Sequence, residues 1–373
     1  MKGKKSIHQF FAVLGMLVCI LVLGNCQKME TKAASNHVYL LKGEKLTVQL
    51  KTGQKNTRYT WKSKNKKIAT VNQKGVVTGK KKGNVYITAT YKKKNIKVLV
   101  TVRDEVDLFI FAGQSNMSGG GNATLAPTVK SWYGYEYRSV TAPNTLSPLK
   151  EPFGVKENRG NLNDYNYKQG SMVSSFVKEY YCSTRTPVVA INATRIGSSL
   201  LFWKNNLCEE TANRYKKCVK YLKKRGIKIR HSYVVWWQGE AEGIYKCSGS
   251  YYIDNTKDVI RYFKKNCNME KLLMVRIGQY YGTEVEVEPN LNANLFDEII
   301  RSQTKIALEN KDVVLVSVKA AGYQADAYNP EGLHLNQYAL NEIGKEAGKN
   351  AAYYVKNRKQ PPMFDSYLNT WIK

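Results

Sequence analysis

A serine that follows an apolar run is the first candidate for chemistry in this sequence. Ser115 lies in the segment Gly113-Gln114-Ser115-Asn116-Met117-Ser118-Gly119, directly after Leu108–Ala112. On a sharp turn from a strand into a helix, a serine hydroxyl is exposed at the sheet edge, with backbone N–H groups around it. These features suit a nucleophile with an oxyanion donor, although a loop serine that caps a helix is equally compatible with this segment alone.

The C-terminal region supplies a candidate base for this serine. His334 lies in a Pro/Gly loop before a predicted helix, and Glu331 precedes it by three residues. Glu331 can hydrogen-bond the far imidazole nitrogen, which fixes the tautomer and stabilises the imidazolium. The other histidine of this region, His231, begins a predicted strand and is expected to be structural. The set Ser115, His334 and Glu331 therefore predicts nucleophilic catalysis.

Two further strand ends offer groups that stabilise negative charge on oxygen. Gly197 follows the second predicted strand, and its N–H can approach a developing oxyanion because it carries no side chain. Gln238 follows the third strand and can aim an amide N–H at the same oxygen. Together with the backbone N–H of Ser115, these residues form the predicted oxyanion hole.

Two glutamates beside Gln238 allow a different interpretation. Glu240 and Glu242 are neighbouring carboxylates, the residue type that flanks a glycosidic bond in glycosidases. That mechanism leaves Ser115 and His334 without a role. Glu240 is also a second candidate for the catalytic acid, or for a residue that supports the active-site loop.

The elements that must position these residues alternate between strands and helices. Strands are predicted at Leu108–Ala112, Val188–Asn192, Tyr233–Trp237, Leu272–Ile277 and Val313–Val318. Helices are predicted at Ser171–Tyr181, Cys208–Lys224, Tyr252–Asn266, Leu291–Leu308 and Gln337–Lys356. The alternation indicates an α/β domain with a parallel sheet, and ligands bind such sheets beyond the carboxyl ends of the strands.

The four strand-end segments resemble the SGNH-hydrolase superfamily, in which Ser, Gly, an amide side chain and His come from successive blocks. GQSNMSG around Ser115, Trp237–Glu240 and Glu331–His334 resemble the sialate O-acetylesterase-like group, which includes acetylxylan esterases of carbohydrate esterase family six. The resemblance spans nearly all of residues 107–357. It implies a three-layer α/β/α, flavodoxin-like domain and a serine esterase that removes O-acetyl groups from xylan, another polysaccharide or sialic acid. No cofactor or metal is expected.

Substrate contacts are expected close to the nucleophile. Asn116 is a candidate for substrate binding because it adjoins Ser115. Trp203 and Trp237 can give a sugar ring an apolar platform, although tryptophan near strand ends is at least as often part of the core.

Residues 36–103 are predicted to form a separate domain. Seven short β-branched runs, separated by turns, predict a β-sandwich. Trp61–Asn65, Ile68–Asn72 and Gly75–Gly79 resemble the bacterial Ig-like group 2 domain, which implies a spacer or surface-adhesion unit. The esterase domain is then residues 104–373.

The first 35 residues are predicted to be a secretory signal peptide. Three lysines precede an apolar run from Phe10 to Gly24, and Thr31-Lys32-Ala33 gives small residues at the cleavage spacing. Leu23–Cys26 resembles a lipobox, so lipid anchoring at Cys26 is the alternative to release. The apolar run is shorter than the roughly 20 residues of a spanning helix, so no membrane span is expected after cleavage.

The net charge of +30 is concentrated in the predicted sandwich domain. Residues 36–103 hold eighteen basic residues against Glu44 alone. Charge confined to one short module argues against a nucleic-acid enzyme. It fits either a solvated surface or attraction to an anionic cell-wall polymer.

A second class of function stays open at this point. A surface glycan-binding or adhesion protein with a silent enzyme-like domain would have the same domain order. The intact set of Ser115, His334 and Glu331 favours the esterase, because a binding protein has no need to keep all three.

Overall fold

The computed structural model describes residues 37–48, 50, 55–282 and 294–373. The predicted signal peptide and Cys26 lie outside the described residues. The chain divides into two compact units, Met1–Asp104 and Glu105–Lys373. None of the helices in the described ranges is long and apolar enough to cross a membrane.

The first unit is a β-sandwich, as predicted. Its strands are β1 (His37–Leu41), β2 (Lys45–Thr47), β3 (Thr60–Ser63), β4 (Ala69–Val71), β5 (Val76–Gly79), β6 (Gly83–Tyr91) and β7 (Lys94–Arg103). They form one sheet of order β1-β7-β6-β3 and a second of order β2-β5-β4. Alternate residues of β6 and β7 point inward, so that Ile87 and Val100 pack with Trp61 in the core between the sheets.

The second unit is built on a seven-stranded sheet. Its strands are β8 (Glu105–Gly113), β9 (Gly134–Tyr137), β10 (Leu146–Pro148), β11 (Val188–Thr194), β12 (Lys228–Trp237), β13 (Lys271–Val275) and β14 (Val313–Ser317), and a separate C-terminal hairpin contains β15 (Met363–Asp365) and β16 (Thr370–Ile372). The sheet order is β10-β9-β11-β8-β12-β13-β14, and every neighbouring pair is parallel except β9 with β10. The five long parallel strands thus have the flavodoxin-like order 2-1-3-4-5.

Helices connect the parallel strands. They are α1 (Ser115–Ser118), α2 (Val173–Thr184), α3 (Leu200–Phe202), α4 (Cys208–Arg225), α5 (Glu240–Ile244), α6 (Gly249–Cys267), α7 (Asn294–Glu309), α8 (Lys319–Gly322) and α9 (Gln337–Asn357), with a π-helical turn at Trp203–Leu207. The helix α9 packs on α2, whereas α6 packs on both α4 and α7. Because crossovers between parallel strands are right-handed, the two groups cover opposite faces of the sheet, which confirms the predicted α/β/α layers.

The strand order reverses beside β8, and this reversal positions the site. In open α/β sheets, ligands bind outside the carboxyl ends of the strands at such a reversal, which here is the carboxyl end of β8. All residues of β11 are buried, as are those of β8 after Glu105. The carboxyl end of β8 is therefore supported by fully packed strands.

Candidate active site

Ser115 lies at the carboxyl end of the central strand, where the backbones of β8 and β12 come very close together. A Cβ atom on Gly113 would lie 1.9 Å from the carbonyl oxygen of Trp237, and the φ of Gly113 is +147°. Only glycine fits there, and the Gln114 N–H donates to the same carbonyl at 3.0 Å. The chain then turns at once into α1, whose first residue is Ser115. Its side chain lies in a nearly closed site, with 4% of the residue exposed.

Asn116 connects the nucleophile segment to the histidine loop. Its Oδ1 accepts from the Leu335 N–H at 3.0 Å, and its Nδ2 donates to the Leu333 carbonyl at 3.3 Å. These two residues flank His334, so one amide holds the loop on both sides of the imidazole. Asn116 Nδ2 also donates to Glu240 Oε1 at 2.7 Å. Asn116 thus brings the predicted nucleophile and base together through internal bonds, and its buried amide is not free for the predicted contact with substrate.

His334 contacts the first of the two candidate acids. Its Nδ1 lies 2.7 Å from Glu331 Oε1, and its backbone N–H donates to the same oxygen at 3.3 Å. A carboxylate at Nδ1 keeps the proton there and leaves Nε2 as the free base. No hydrogen bond joins Ser115 Oγ to His334 within the described residues; such catalytic bonds often tighten only when substrate is bound.

Gly197 lies on an open turn beside this set. Its φ is +60°, and a Cβ placed on it would meet no atom within 4 Å. The turn begins where Arg195 N–H donates to the Gly113 carbonyl at 3.0 Å, next to the nucleophile segment. The structure therefore places the N–H of the predicted oxyanion glycine on an exposed turn near Ser115.

Gln238 differs from its predicted arrangement. The side chain is completely buried, and its Nε2 donates both to the Ser198 carbonyl at 3.1 Å and to Glu242 Oε2. Both amide N–H groups are thus used inside the protein instead of pointing at a reacting oxygen. Gln238 can serve an oxyanion only by exchanging one of these bonds, and in this structure its amide supports the turn that carries Gly197.

The two glutamates of α5 are both buried inside the protein. Glu242 Oε1 accepts from the Leu200 N–H at 2.6 Å, and Glu240 Oε1 accepts from Asn116. Burial raises the pKa of Glu240 to about 7, although the bond from Asn116 lowers it. Glu240 Oε2 is buried without a partner. Neither carboxylate is free to flank a glycosidic bond, so the glycosidase alternative is wrong, and Glu240 does not contact His334 as a rival acid would.

The predicted tryptophan platform is wrong as well. Trp203 and Trp237 are 0% exposed, so neither ring offers a face to a sugar. Trp203 packs against Trp236, with ring centroids 4.8 Å apart, and its indole N–H donates to Ser198 Oγ at 2.8 Å. These large rings belong to the core, because burying them contributes more to stability than exposing them at a strand end.

A segment that the sequence does not indicate borders the site. Tyr167 lies with its ring centroid 5.4 Å from that of His334, and its buried hydroxyl has no partner. Asp164 and Lys168 form a buried ion pair in the same segment. Tyr165 is 68% exposed, and the Arg195 guanidinium lies 5.3 Å from its ring centroid. The segment has neither apolar periodicity nor a motif, so no sequence signal would have found it.

These residues together can carry out acyl transfer. A serine at a strand end, an imidazole whose orientation is fixed by a carboxylate, and a glycine N–H on an open turn supply the nucleophile, the base and an oxyanion donor. The amide of Asn116 fixes the serine and the histidine relative to each other.

Comparison with known families agrees with this chemistry. Residues 105–353 match the family model described as carbohydrate esterase, sialic acid-specific acetylesterase. Residues 29–102 match the bacterial Ig-like domain, group 2. Among curated proteins, none matches the chain.

Several solved structures are similar to part of the chain. A protein from Arabidopsis thaliana is 18% identical, with a TM-score of 0.49, over 68% of this chain and 99% of that protein. A carbohydrate acetylesterase from Xanthomonas citri is 15% identical, with a TM-score of 0.44, over 89% and 78% respectively. A catalytic mutant of an acetylxylan esterase from Geobacillus stearothermophilus is 10% identical, with a TM-score of 0.36, over 65% and 91%.

Proposed function

The chain belongs to the carbohydrate esterase family of sialic acid-specific acetylesterases and is a carboxylic ester hydrolase, and from this premise we propose that it is a serine O-acetylesterase. Ser115 is the proposed nucleophile, His334 the base and Glu331 the acid. The proposed substrate is an O-acetylated sugar, either in a polysaccharide such as xylan or as sialic acid.

The proposed mechanism has two steps. Ser115 Oγ attacks the acetyl carbonyl while His334 Nε2 takes its proton, and the N–H groups of Ser115 and Gly197 stabilise the oxyanion. The protonated imidazole gives its proton to the leaving sugar alcohol. Water then attacks the acetyl-serine with His334 again as the base, and acetate leaves.

The observation that carries this proposal is the Asn116 amide. It adjoins Ser115 and bonds to the backbone on both sides of His334. The His334 side chain is also held at Nδ1 by Glu331. A silent binding domain has no need of a nucleophile and a base fixed together in this way.

A sugar ring would find its contacts on exposed aromatic side chains rather than on the buried tryptophans. Tyr165 offers an exposed ring, and Phe202, at the end of α3, is partly exposed. Tyr165 has a φ of +51°, a strained conformation for a residue other than glycine. Such strain is concentrated at functional sites. We assign the sugar-binding surface to the exposed rings of Tyr165 and Phe202, which form the rim of the site.

We also propose that the protein acts outside the cell. The support is the sequence pattern of the first 35 residues, with release after cleavage preferred to anchoring at Cys26. The basic sandwich unit would then meet an anionic cell-wall polymer, to which its exposed lysines would be attracted.

Acetate release by the purified full chain tests the proposed function. The substrates are acetylated xylan and O-acetylated sialic acid, and the variants are Ser115→Ala and, as a matched control, Ser232→Ala. Ser232 is also buried, but it lies nearer the amino end of β12. We expect release by the wild type and by Ser232→Ala, and a loss of at least about 10³-fold in Ser115→Ala.

The preferred polymer would identify the substrate class. No release by the folded wild type from either substrate would overturn the esterase proposal. Undiminished release by Ser115→Ala would exclude a serine mechanism at this site.

A further inference from the structure

A buried ion pair beside the candidate active site has no part in the mechanism above. Asp164 and Lys168 lie in the segment between the 3-10 turn Val155–Glu157 and α2. Lys168 Nζ lies 2.5 Å from Asp164 Oδ2, and both side chains are almost completely buried. Apolar residues of similar volume are often at least as stable as a buried pair, so stability alone does not explain these charges.

The Asp164 carboxylate accepts hydrogen bonds from three parts of the fold. Its Oδ2 accepts from Ser118 Oγ at 2.5 Å and from Thr194 Oγ1 at 3.1 Å. Its Oδ1 accepts from the backbone N–H of Ile196 at 2.7 Å. Ser118 ends the nucleophile helix α1, Thr194 ends β11, and Ile196 directly precedes Gly197. One carboxylate therefore ties the nucleophile helix to the turn of the oxyanion glycine.

Four donors meet the two oxygens of Asp164, and this arrangement calls for a side chain that offers only acceptors. A carboxylate has only acceptors, with about four lone-pair sites on two oxygens, and here it meets four donors, including the Lys168 ammonium. An asparagine would turn its NH₂ group toward some of those donors. Lys168 neutralises the charge and also donates to the Thr194 hydroxyl, so the countercharge is part of the same network.

The same segment reaches the other parts of the site. The Gln169 N–H donates to the Gly119 carbonyl at 2.8 Å, immediately after α1. The Tyr167 ring lies beside His334. The segment thus contacts the nucleophile helix, the oxyanion turn and the base.

We propose that Asp164 is a positioning residue of the esterase, which sets the turn carrying Gly197 against the helix carrying Ser115, with Lys168 as its buried countercharge. This inference rests on the proposed function of the Ser115 site. An oxyanion donor acts on charge that develops in the transition state. Loosening the turn should therefore lower kcat and leave KM almost unchanged.

The test compares two ion pairs of the full-length protein, each with a fully buried aspartate. Asp164→Ala/Lys168→Met removes the proposed pair without leaving a lone buried charge. Asp107→Ala/Arg230→Met removes a pair of similar kind (N–O distance 2.9 Å) near the amino end of the sheet, away from the site. The readouts are kcat and KM for 4-nitrophenyl acetate, the melting temperature, and backbone amide exchange at Ile196 and Gly197.

We expect Asp164→Ala/Lys168→Met to lower kcat by about 10²-fold, the usual effect of losing one oxyanion donor. Amide exchange at Ile196 and Gly197 should become faster. The control pair should lower the melting temperature only. Asp164→Asn/Lys168→Met should recover part of kcat, because its Oδ1 still accepts from Ile196, and it serves as the test if the alanine variant does not fold.

A folded Asp164→Ala/Lys168→Met protein with wild-type kcat and wild-type exchange at Ile196 would overturn the inference. So would an equal loss of kcat in the Asp107 control, because the effect would then follow from stability. If the wild type itself hydrolyses no ester, the proposed function fails, whereas amide exchange still tests whether Asp164 holds the turn.

Discussion

Glu331 and Glu240 occupy very different surroundings although both were candidates for the catalytic acid. Glu331 is 47% exposed and contacts the imidazole, whereas Glu240 is buried and contacts Asn116. An exposed carboxylate in contact with the imidazole can stabilise an imidazolium. A buried one with an unpartnered oxygen favours its neutral form, which makes Glu240 a support for Asn116.

Substitution by the isosteric amide distinguishes these two roles. Glu331→Gln should lower kcat by about 10²-fold, because the imidazolium loses its countercharge. Glu240→Gln should keep most of the activity, because an amide oxygen can still accept from Asn116. Kinetics on 4-nitrophenyl acetate at one pH will measure both, and a larger loss in Glu240→Gln than in Glu331→Gln would reverse the assignment.

The buried Glu240 also makes stability depend on pH. Burial raises its pKa from 4.5 to about 7, so between these values the native state holds a proton that the unfolded state releases. This contribution to stability is fully present below the unfolded pKa and is lost as pH rises through the folded one. Glu240→Gln cannot titrate and lacks it.

Urea unfolding of wild type and Glu240→Gln at acidic and alkaline pH measures this difference. From about pH 4 to about pH 9, we expect the wild type to lose about 3 kcal/mol of unfolding free energy relative to the variant. Parallel pH dependence in the two proteins would show that folding does not shift the pKa of Glu240.

The sequence offers candidates for the chemical groups of the site but not for the residues that support them. Ser115, His334 and Glu331 are candidates because a strand-end serine, a loop histidine and a carboxylate three residues before it together suit nucleophilic catalysis. Asp164 and Lys168 are charged residues in a polar stretch, which normally indicates a solvated surface. Their burial arises only when separate elements close around them.

At the scale of elements, the turn after β11 is held by buried neighbours. Ser198 accepts at its carbonyl from Gln238 and at its hydroxyl from Trp203, and the Leu200 N–H bonds to Glu242. The rim above the turn is exposed, and Tyr165 lies on it. We therefore expect the buried partners of the turn to stabilise the fold and the exposed rim to bind the substrate.

Two alanine variants distinguish the contribution to stability from the contribution to substrate binding. Trp203→Ala should lower the unfolding free energy by about 3–5 kcal/mol, because it leaves a large cavity in the core. Tyr165→Ala should change stability by no more than about 0.5 kcal/mol and should raise KM for the acetylated sugar. Urea titration and steady-state kinetics will measure both effects, and unchanged KM in Tyr165→Ala would remove that ring from the substrate surface.

Long apolar strands were predictable, whereas short polar ones were not. The predicted run Val188–Asn192 lies within β11, and Leu272–Ile277 overlaps β13, because buried parallel strands are continuous runs of apolar residues. β9 was missed since its sequence, Gly134-Tyr135-Glu136-Tyr137, contains a charge and yet is fully buried. Glu136 is accommodated by Arg138, at 2.7 Å, a pairing that no periodicity shows.

At the scale of the whole molecule, the concentrated positive charge and the candidate active site lie in different units. The sandwich unit has exposed lysines on and between its strands, among them Lys62, Lys64 and Lys66. The esterase unit carries the candidate site. If the basic unit holds the enzyme on an anionic polymer, retention and hydrolysis should respond differently to salt.

Co-sedimentation with an anionic cell-wall polymer, and with neutral xylan as the control, tests this division of roles. Retention of the full chain on the anionic polymer should fall as salt is raised from about 0.05 M to about 1 M, where the Debye length shortens to about 3 Å. Lys62→Glu/Lys64→Glu/Lys66→Glu should weaken retention while kcat on 4-nitrophenyl acetate stays the same. Equal retention on xylan, independent of salt, would contradict an electrostatic attachment.

The long-range hydrogen bonds of Asn116 affect the order in which the enzyme folds. It joins positions 116 and 335, which are 219 residues apart along the chain. A chain emerging from the ribosome therefore completes its β8 strand long before the histidine loop exists. Contacts of such long range form late, after the intervening strands have docked. During refolding, the return of esterase activity should accordingly lag behind the return of secondary structure.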